Sequence, residues 1–275
     1  SDQANQKFEL ILVKVSKQNN GIDLLFMLVQ KLFALKVTIP NEIEDYYCED
    51  IITSDDVNHR EIHLNKALDF VSKEDCTLKA KNYVYQKLIS AILLGEIQKH
   101  GNADAFFSEE SPEWMNKICN HIWRSTTTDI VTDHTSGKLD SHRFQLLELT
   151  SILLKWCSKN IEGYKKDIIK FSWNYIKLED NITKQAAYVT TTYFISAFEI
   201  PAKLVTQVFV ALLRTHQTDS RHLVKQALDI LAPVMSERMH GEGAPMSWLK
   251  WPRRVISEDG FNVTQVLNVY QFIVA

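Results

Sequence analysis

Lys184-Gln185-Ala186 and Lys225-Gln226-Ala227 repeat one pattern at a step of 41 residues, and a further step back of the same length reaches a third basic residue, Arg143. Neighbouring positions keep this register. Leu146, Ala187 and Leu228 are apolar, Thr150, Thr191 and Ala232 are small, and Leu153, Phe194 and Met235 are bulky. Within each register these positions lie three or four residues apart, the spacing of one helix face. Turn signals stand between registers at Ile200-Pro201 and Asp219-Ser220. A period of about 40 residues with two helices per unit is the pattern of HEAT and armadillo arrays, whose units bury their apolar faces only against their neighbours. The expected fold is all-α, a HEAT/armadillo-like α-solenoid of antiparallel helix pairs.

Toward the N-terminus the period continues without a visible repeat. Between Ile22 and Val37, the residues Leu24, Leu25, Leu28, Leu32 and Leu35 form one predicted helix face, and Val37-Thr38-Ile39-Pro40 ends it because proline disfavours helical geometry at the residue before it. The next stretch, about 40–58, carries Glu42, Glu44, Asp45, Glu49, Asp50, Asp55 and Asp56 with no Lys or Arg before Arg60, and reads as an exposed loop or a marginal helix. Helical spacing resumes at Ile62 and again from Leu78 through Tyr85, Leu88, Ile89, Ile92 and Leu93 to a glycine cap at His100-Gly101. Ser111-Pro112-Glu113 has the form of a helix start, with Ser at the cap and Pro in the first turn, opening a helix that carries Trp114, Ile118, Ile122 and Trp123. Residues 125–141 have little apolar period and read as a loop between helical repeats at 1–124 and HEAT-like repeats at 142–275. Apolar stretches at Phe8–Val15 and Val263–Ala275 lack the polar capping unit of a solenoid end, so the expectation is a piece of a longer array.

Composition narrows the function classes. Of 275 residues, 45% are hydrophobic and 24% charged, which is ordinary globular material, and only 8 Gly and 6 Pro favour long helices over many short strands. A net charge of −3 argues against a phosphate-neutralising surface, so direct nucleic-acid binding is not expected. The longest apolar run, near Leu88–Leu94, falls short of the ~20 residues that span a bilayer, and no signal segment opens the chain, so no membrane partner is expected. Cys48, Cys76, Cys119 and Cys157 are scattered without a C-x-x-C pair, which suggests reduced thiols of the cytosol or nucleus.

Chemistry-bearing motifs are scarce. None of the phosphate-binding, dinucleotide, nucleophile-elbow or zincin signatures occurs, so no catalytic residue, metal or cofactor is expected. His59-Arg60-Glu61-Ile62-His63 spaces two imidazoles at i and i+4, but Glu61 stands one place too late for a zincin, and an exposed, charged helix start is the favoured reading. Cys119 and Cys157, at helical spacing beside Ile118 and Leu153, read as buried structural thiols. The most unusual segment is Trp248-Leu249-Lys250-Trp251-Pro252-Arg253-Arg254-Val255-Ile256. Trp248, Lys250, Trp251, Arg253 and Arg254 are the candidate protein-binding residues, since indoles and cations together suit an acidic and aromatic peptide. The alternative is that both indoles pack into the repeat core while the cations stay solvated.

Over about residues 141–275 the sequence resembles the TRRAP family, most closely its fungal members. The resemblance is carried by Leu178 to Tyr188, Pro201 to Val208, Gln226 to Met235 and Trp248 to Ile256; residues 1–140 show no motif of their own. Members are very large pseudokinases related to the phosphatidylinositol kinases. The matching part implies their HEAT-type solenoid rather than the distant kinase-like domain, and so implies no enzyme activity. What the resemblance implies further is a nuclear scaffold shared by the SAGA and NuA-type histone acetyltransferase complexes, with acidic transcription activators and other complex subunits as partners. A purely architectural segment that fixes solenoid shape is the second reading. A helical enzyme with a composite site is the third.

Overall fold

Asp56, Thr77 and Asp180 each accept a hydrogen bond from a backbone N–H of the turn that follows, and each opens a helix. In the computed structural model, which describes residues 21–107, 112–124, 137–215, 219–238, 247–259 and 266–270, every regular element among the described residues is helical. Two compact units divide the chain, Ser1–Ile152 and Leu153–Ala275.

The first unit holds α1 (Gly21–Ala34), α2 (Asn41–Tyr46), α3 (Val57–Val71), α4 (Leu78–Val84), α5 (Ser90–His100) and α6 (Glu113–Ile118). Wider π-helical turns extend α2 through Tyr47–Ile52, join α4 to α5 through Tyr85–Ile89, and extend α6 through Cys119–Arg124. Helix α7 (Gly137–Trp156) crosses the division between the units. The core of this unit is aromatic. Phe26 stacks on Phe70 at 4.7 Å between centroids. Buried Trp114 donates its indole N–H to the Phe106 carbonyl at 3.1 Å, and buried Trp123 donates to Thr150 Oγ1 at 3.1 Å. Both indoles thus satisfy their one polar atom inside the core.

Four local expectations change here. Helix α1 buries Ile22, Leu25, Phe26 and Val29, whereas Leu24 and Leu35 of the predicted face are exposed; the helix is apolar on more than one side, so spacing alone did not choose between overlapping stripes. The acidic stretch is helical from Asn41 to Ile52, because Ile43, Tyr46, Tyr47 and Ile51 supply an inward face that its charges obscured. Helix α6 begins after Pro112, which stands at the cap itself, while Ser111 lies outside the described residues. Segment 125–136 of the expected loop also lies outside them, and 137–141 is already the start of α7. The predicted end of α5 holds: Gly101 adopts φ 75° and its N–H returns to the Ile97 carbonyl at 2.8 Å.

In the second unit, α8 (Lys165–Ile176), α9 (Asn181–Ala197), α10 (Ala202–Leu213), α11 (Arg221–Arg238) and α12 (Lys250–Asp259) follow, with a helical turn at 266–270. Helix α9 packs against both α8 and α11, and α10 packs against α11 and α12, the layered contact pattern of a two-helix repeat. The 41-residue step carries α9 onto α11. Its apolar positions Leu146, Ala187, Leu228, Leu153, Phe194 and Met235 are all buried, as are Thr150 and Thr191. Thr190 and Thr191 return their hydroxyls to carbonyls one turn back, so threonine is tolerated inside the core. Arg238, near the end of α11, donates to the carbonyls of Ile195, Ser196 and Phe198 at the end of α9, satisfying acceptors that the helix terminus leaves open.

Candidate protein-docking site

Helix α12 is divided sharply between its faces. Pro252 and Val255 are buried, while Arg253, Arg254, Ser257 and Glu258 are exposed. Pro252 sits in the first turn, where a missing N–H costs no intrahelical bond. Two cations lie over the half-buried Trp251 ring, Lys250 Nζ at 5.4 Å and Arg254 Cζ at 5.7 Å from its centroid. One turn on, Glu258 accepts from Arg254 Nε and, through its other oxygen, from Arg214 Nη2 of α10 at 2.6 Å. The hydrogen bond from Arg254, reinforced by the two guanidinium charges, holds the Glu258 carboxyl below the usual carboxylate range. This two-sided clamp ties the end of α10 to α12.

All five predicted residues fall on or beside this element, in unequal roles. Trp248 is half-buried in the Ser247–Leu249 turn before α12. Lys250 and Arg254 flank Trp251, and Arg253 is exposed with no ion pair among the described residues. Neither indole is fully in the core, and neither is fully offered to solvent. Sequence reasoning missed Arg214 and Glu258, because a pair 44 positions apart on different helices leaves no local pattern.

The histidine pair has a different setting from the one expected. His59 and His63 do lie together on one face of α3, their rings tilted by 52° with centroids 4.3 Å apart, and His63 Nδ1 bonds the His59 carbonyl. However, His63 is buried and Arg60 is 1% exposed, so the reading of an exposed, charged helix start is corrected: Arg60 turns inward to pair with Glu96 of α5. Burial pushes His63 below its ordinary pKa. No group of three or more metal-ligating side chains is assembled among the described residues. Cys119 and Cys157 are buried as expected, Cys76 is buried too, its thiol pushed up to about 11 by that burial, and Cys48 is exposed. Among the described residues no helix is long and apolar enough to cross a membrane.

Stacked helix pairs in a 41-residue register, with cations and aromatic rings gathered on one edge, define an α-solenoid of the HEAT class, which acts by presenting surfaces. The whole chain, residues 1–275, matches the Tra1 HEAT repeat ring region, and the chain belongs to that family. It is 35% identical, over all of its length, to the SAGA complex/NuA4 acetyltransferase complex subunit TRA1 of Saccharomyces cerevisiae. The Schizosaccharomyces pombe subunit Tra1 of the same two complexes is 40% identical over 58% of the chain, and the human transformation/transcription domain-associated protein is 26% identical over 96%. The chain spans 7% of the length of the S. cerevisiae and human relatives and 4% of the S. pombe one. The similarity runs through residues 1–140, where no motif was legible.

Proposed function

We propose that this chain is a scaffold and protein-docking segment of a transcription-coactivator subunit of the SAGA and NuA4 acetyltransferase type, working in the nucleus without catalysis of its own. Its docking edge is the start of α12, and its partners are acidic activation segments and other subunits of the complex. The observation that carries the reading is Trp251 with Lys250 and Arg254 over its ring and Arg253 exposed beside it. An amphipathic acidic peptide needs a ring to cover its apolar residues and cations for its carboxylates. Such binding is weak and salt-dependent, because the peptide orders on contact and the charges are at the surface. The family resemblance to pseudokinases concerns a domain that lies outside this chain.

The architectural reading has an observation of its own: Arg254 is already engaged by Glu258, which Arg214 also holds, so this face fixes α12 onto α10. Titration of the chain with an acidic activation-domain peptide, read by Trp fluorescence at low and raised salt, separates the two. Docking at this edge predicts saturable binding that weakens with salt, with Trp251→Ala and with Arg253→Glu/Arg254→Glu, while circular dichroism stays helical. Binding indifferent to these changes, or none by the folded chain, leaves the architectural role.

A further inference from the structure

The net charge of −3, which argues against a phosphate-binding surface when taken over the whole chain, averages over an uneven distribution. Residues 155–177 carry six lysines against two acids, Glu162 and Asp167. Helix α8 gathers three of those lysines on one face. Lys166, Lys170, Trp173 and Lys177 follow one another at steps of four, three and four residues, so they form a single stripe along the helix. The stripe lies opposite the buried side made by Ile168, Phe171, Ser172 and Tyr175. Its three lysines are exposed and have no ion pair among the described residues, and the Trp173 indole between them is half-buried. The acids near it lie off the stripe: Glu162 pairs with Lys165, Asp167 stands about 100° round the helix from Lys166, Glu179 is exposed two residues beyond Lys177, and Asp180 caps α9. The corner that leads into α8, closed by turns from Cys157 to Tyr164, continues the same sign of charge with exposed Lys155 and Lys159 around Trp156, itself 39% exposed.

We propose that this outer face of α8 binds single-stranded nucleic acid. Backbone phosphates pair with Lys166, Lys170 and Lys177, and an unpaired base stacks on Trp173. Lysines one turn apart on a helix are separated by about 6 Å along its axis, close to the step between successive phosphates of an extended strand. An aromatic ring set between cations suits a single strand, because every base has a flat face to stack and a duplex keeps those faces inside. The stripe carries no exposed aliphatic residue, so an amphipathic peptide finds nothing there to cover its apolar side. The proposal uses no residue of the Trp251 edge and stands without it.

The test uses the whole 275-residue chain and a fluorescein-labelled oligothymidylate of about twelve nucleotides, read by fluorescence anisotropy between about 20 and about 200 mM salt. Binding should fall in the ~1–100 μM range of sequence-independent contacts, with log K falling against log salt at a slope of about −2 or steeper, since each single-strand phosphate contact contributes about 0.7. Lys166→Ala/Lys170→Ala should make that slope shallower by about 1.4. Trp173→Ala should weaken binding roughly fivefold or more at an unchanged slope, because it removes stacking and no charge. Circular dichroism should stay parent-like for the lysine variant, whose side chains are exposed. Absence of saturable binding at the lowest salt, or a parent-like slope in the lysine variant, overturns the proposal. Parent-like binding by Trp173→Ala, or equal affinity for a duplex of the same length, shows phosphate contact without stacking and overturns the single-strand assignment. Tighter binding of a labelled polyglutamate of equal charge shows a site for acidic protein and overturns nucleic acid as the occupant.

Discussion

Arg60 and Glu96 place two opposite charges in the interior of the first unit, each 1% exposed, with the guanidinium 5.3 Å from the Phe106 ring centroid. Their atoms touch, but the hydrogen bonding is poor: Arg60 Nε and Nη1 and Glu96 Oε2 lack a well-aligned partner. Poorly bonded buried pairs recover little of their desolvation cost, so removing one partner and removing both should differ in sign as well as size. Glu96→Gln leaves a cation that cannot release its proton, and should destabilise the unit by about 3–5 kcal/mol, a large share of a total of roughly 5–15 kcal/mol. Arg60→Met leaves the buried Glu96 carboxylate without its cation and should also destabilise the unit. Arg60→Met/Glu96→Leu should come within about 1 kcal/mol of the parent or exceed it. Urea unfolding at pH 7.5, followed by circular dichroism and by hydrogen exchange in α3 and α5, measures all three. A cost below about 1 kcal/mol for Glu96→Gln, or a double variant as unstable as the sum of its singles, would refute the reasoning.

Three further predictions follow from single groups. Gly101→Ala should cost about 1 kcal/mol in thermal or urea unfolding: a Cβ there meets no atom within 4 Å, so the cost is the φ of 75° alone. Lys36, at φ 58° with Val37 N–H reaching the Leu32 carbonyl, ends α1 in the conformation that glycine prefers, so Lys36→Gly should be neutral or stabilising by up to about 1 kcal/mol in the same assay. His142, bonded to Asn82 Oδ1, is lowered to about 4 by burial first and then by the Lys81 and Arg143 charges. Its folded value lies below the unfolded one of about 6.5, so its contribution is complete above pH ~6.5 and is lost as pH falls toward 4, up to roughly 3 kcal/mol. Melting at pH 7.5 and pH 5 should show a smaller acid loss in His142→Gln than in the parent.

Helices α7, α9 and α11 were legible because repetition adds to helical period: three registers vote on each core position, and Leu146, Ala187 and Leu228 are each buried. Before α7 the chain offers no such repetition. There, α1 carries overlapping apolar stripes, and charge on Glu42, Glu44 and Asp45 hides the buried Ile43 and Tyr46. Arg60 was misplaced for a similar reason, since composition assigns cations to solvent and only the packing of α3 on α5 reveals a buried counter-charge. At the docking edge, Trp251 and its flanking cations were visible as neighbours in sequence. The Arg214–Glu258 clamp was not, because helices in successive repeats meet through stacking and not through local spacing.

Stacking also explains where specificity can reside. Core positions of a repeat answer to the neighbouring repeat, so Ala187 and Leu228, or Phe194 and Met235, vary little in character. Positions at the helix starts answer to that constraint less. Arg143, Lys184 and Lys225 occupy one register, yet the first is buried, the second half-buried and the third exposed. Gln185 and Gln226 diverge in the same direction. Around the Lys184–Gln185 copy, with the end of α10 facing it, the surface is hollowed. A solenoid can thus keep its buried core positions while the surroundings of the polar residues outside them differ from repeat to repeat.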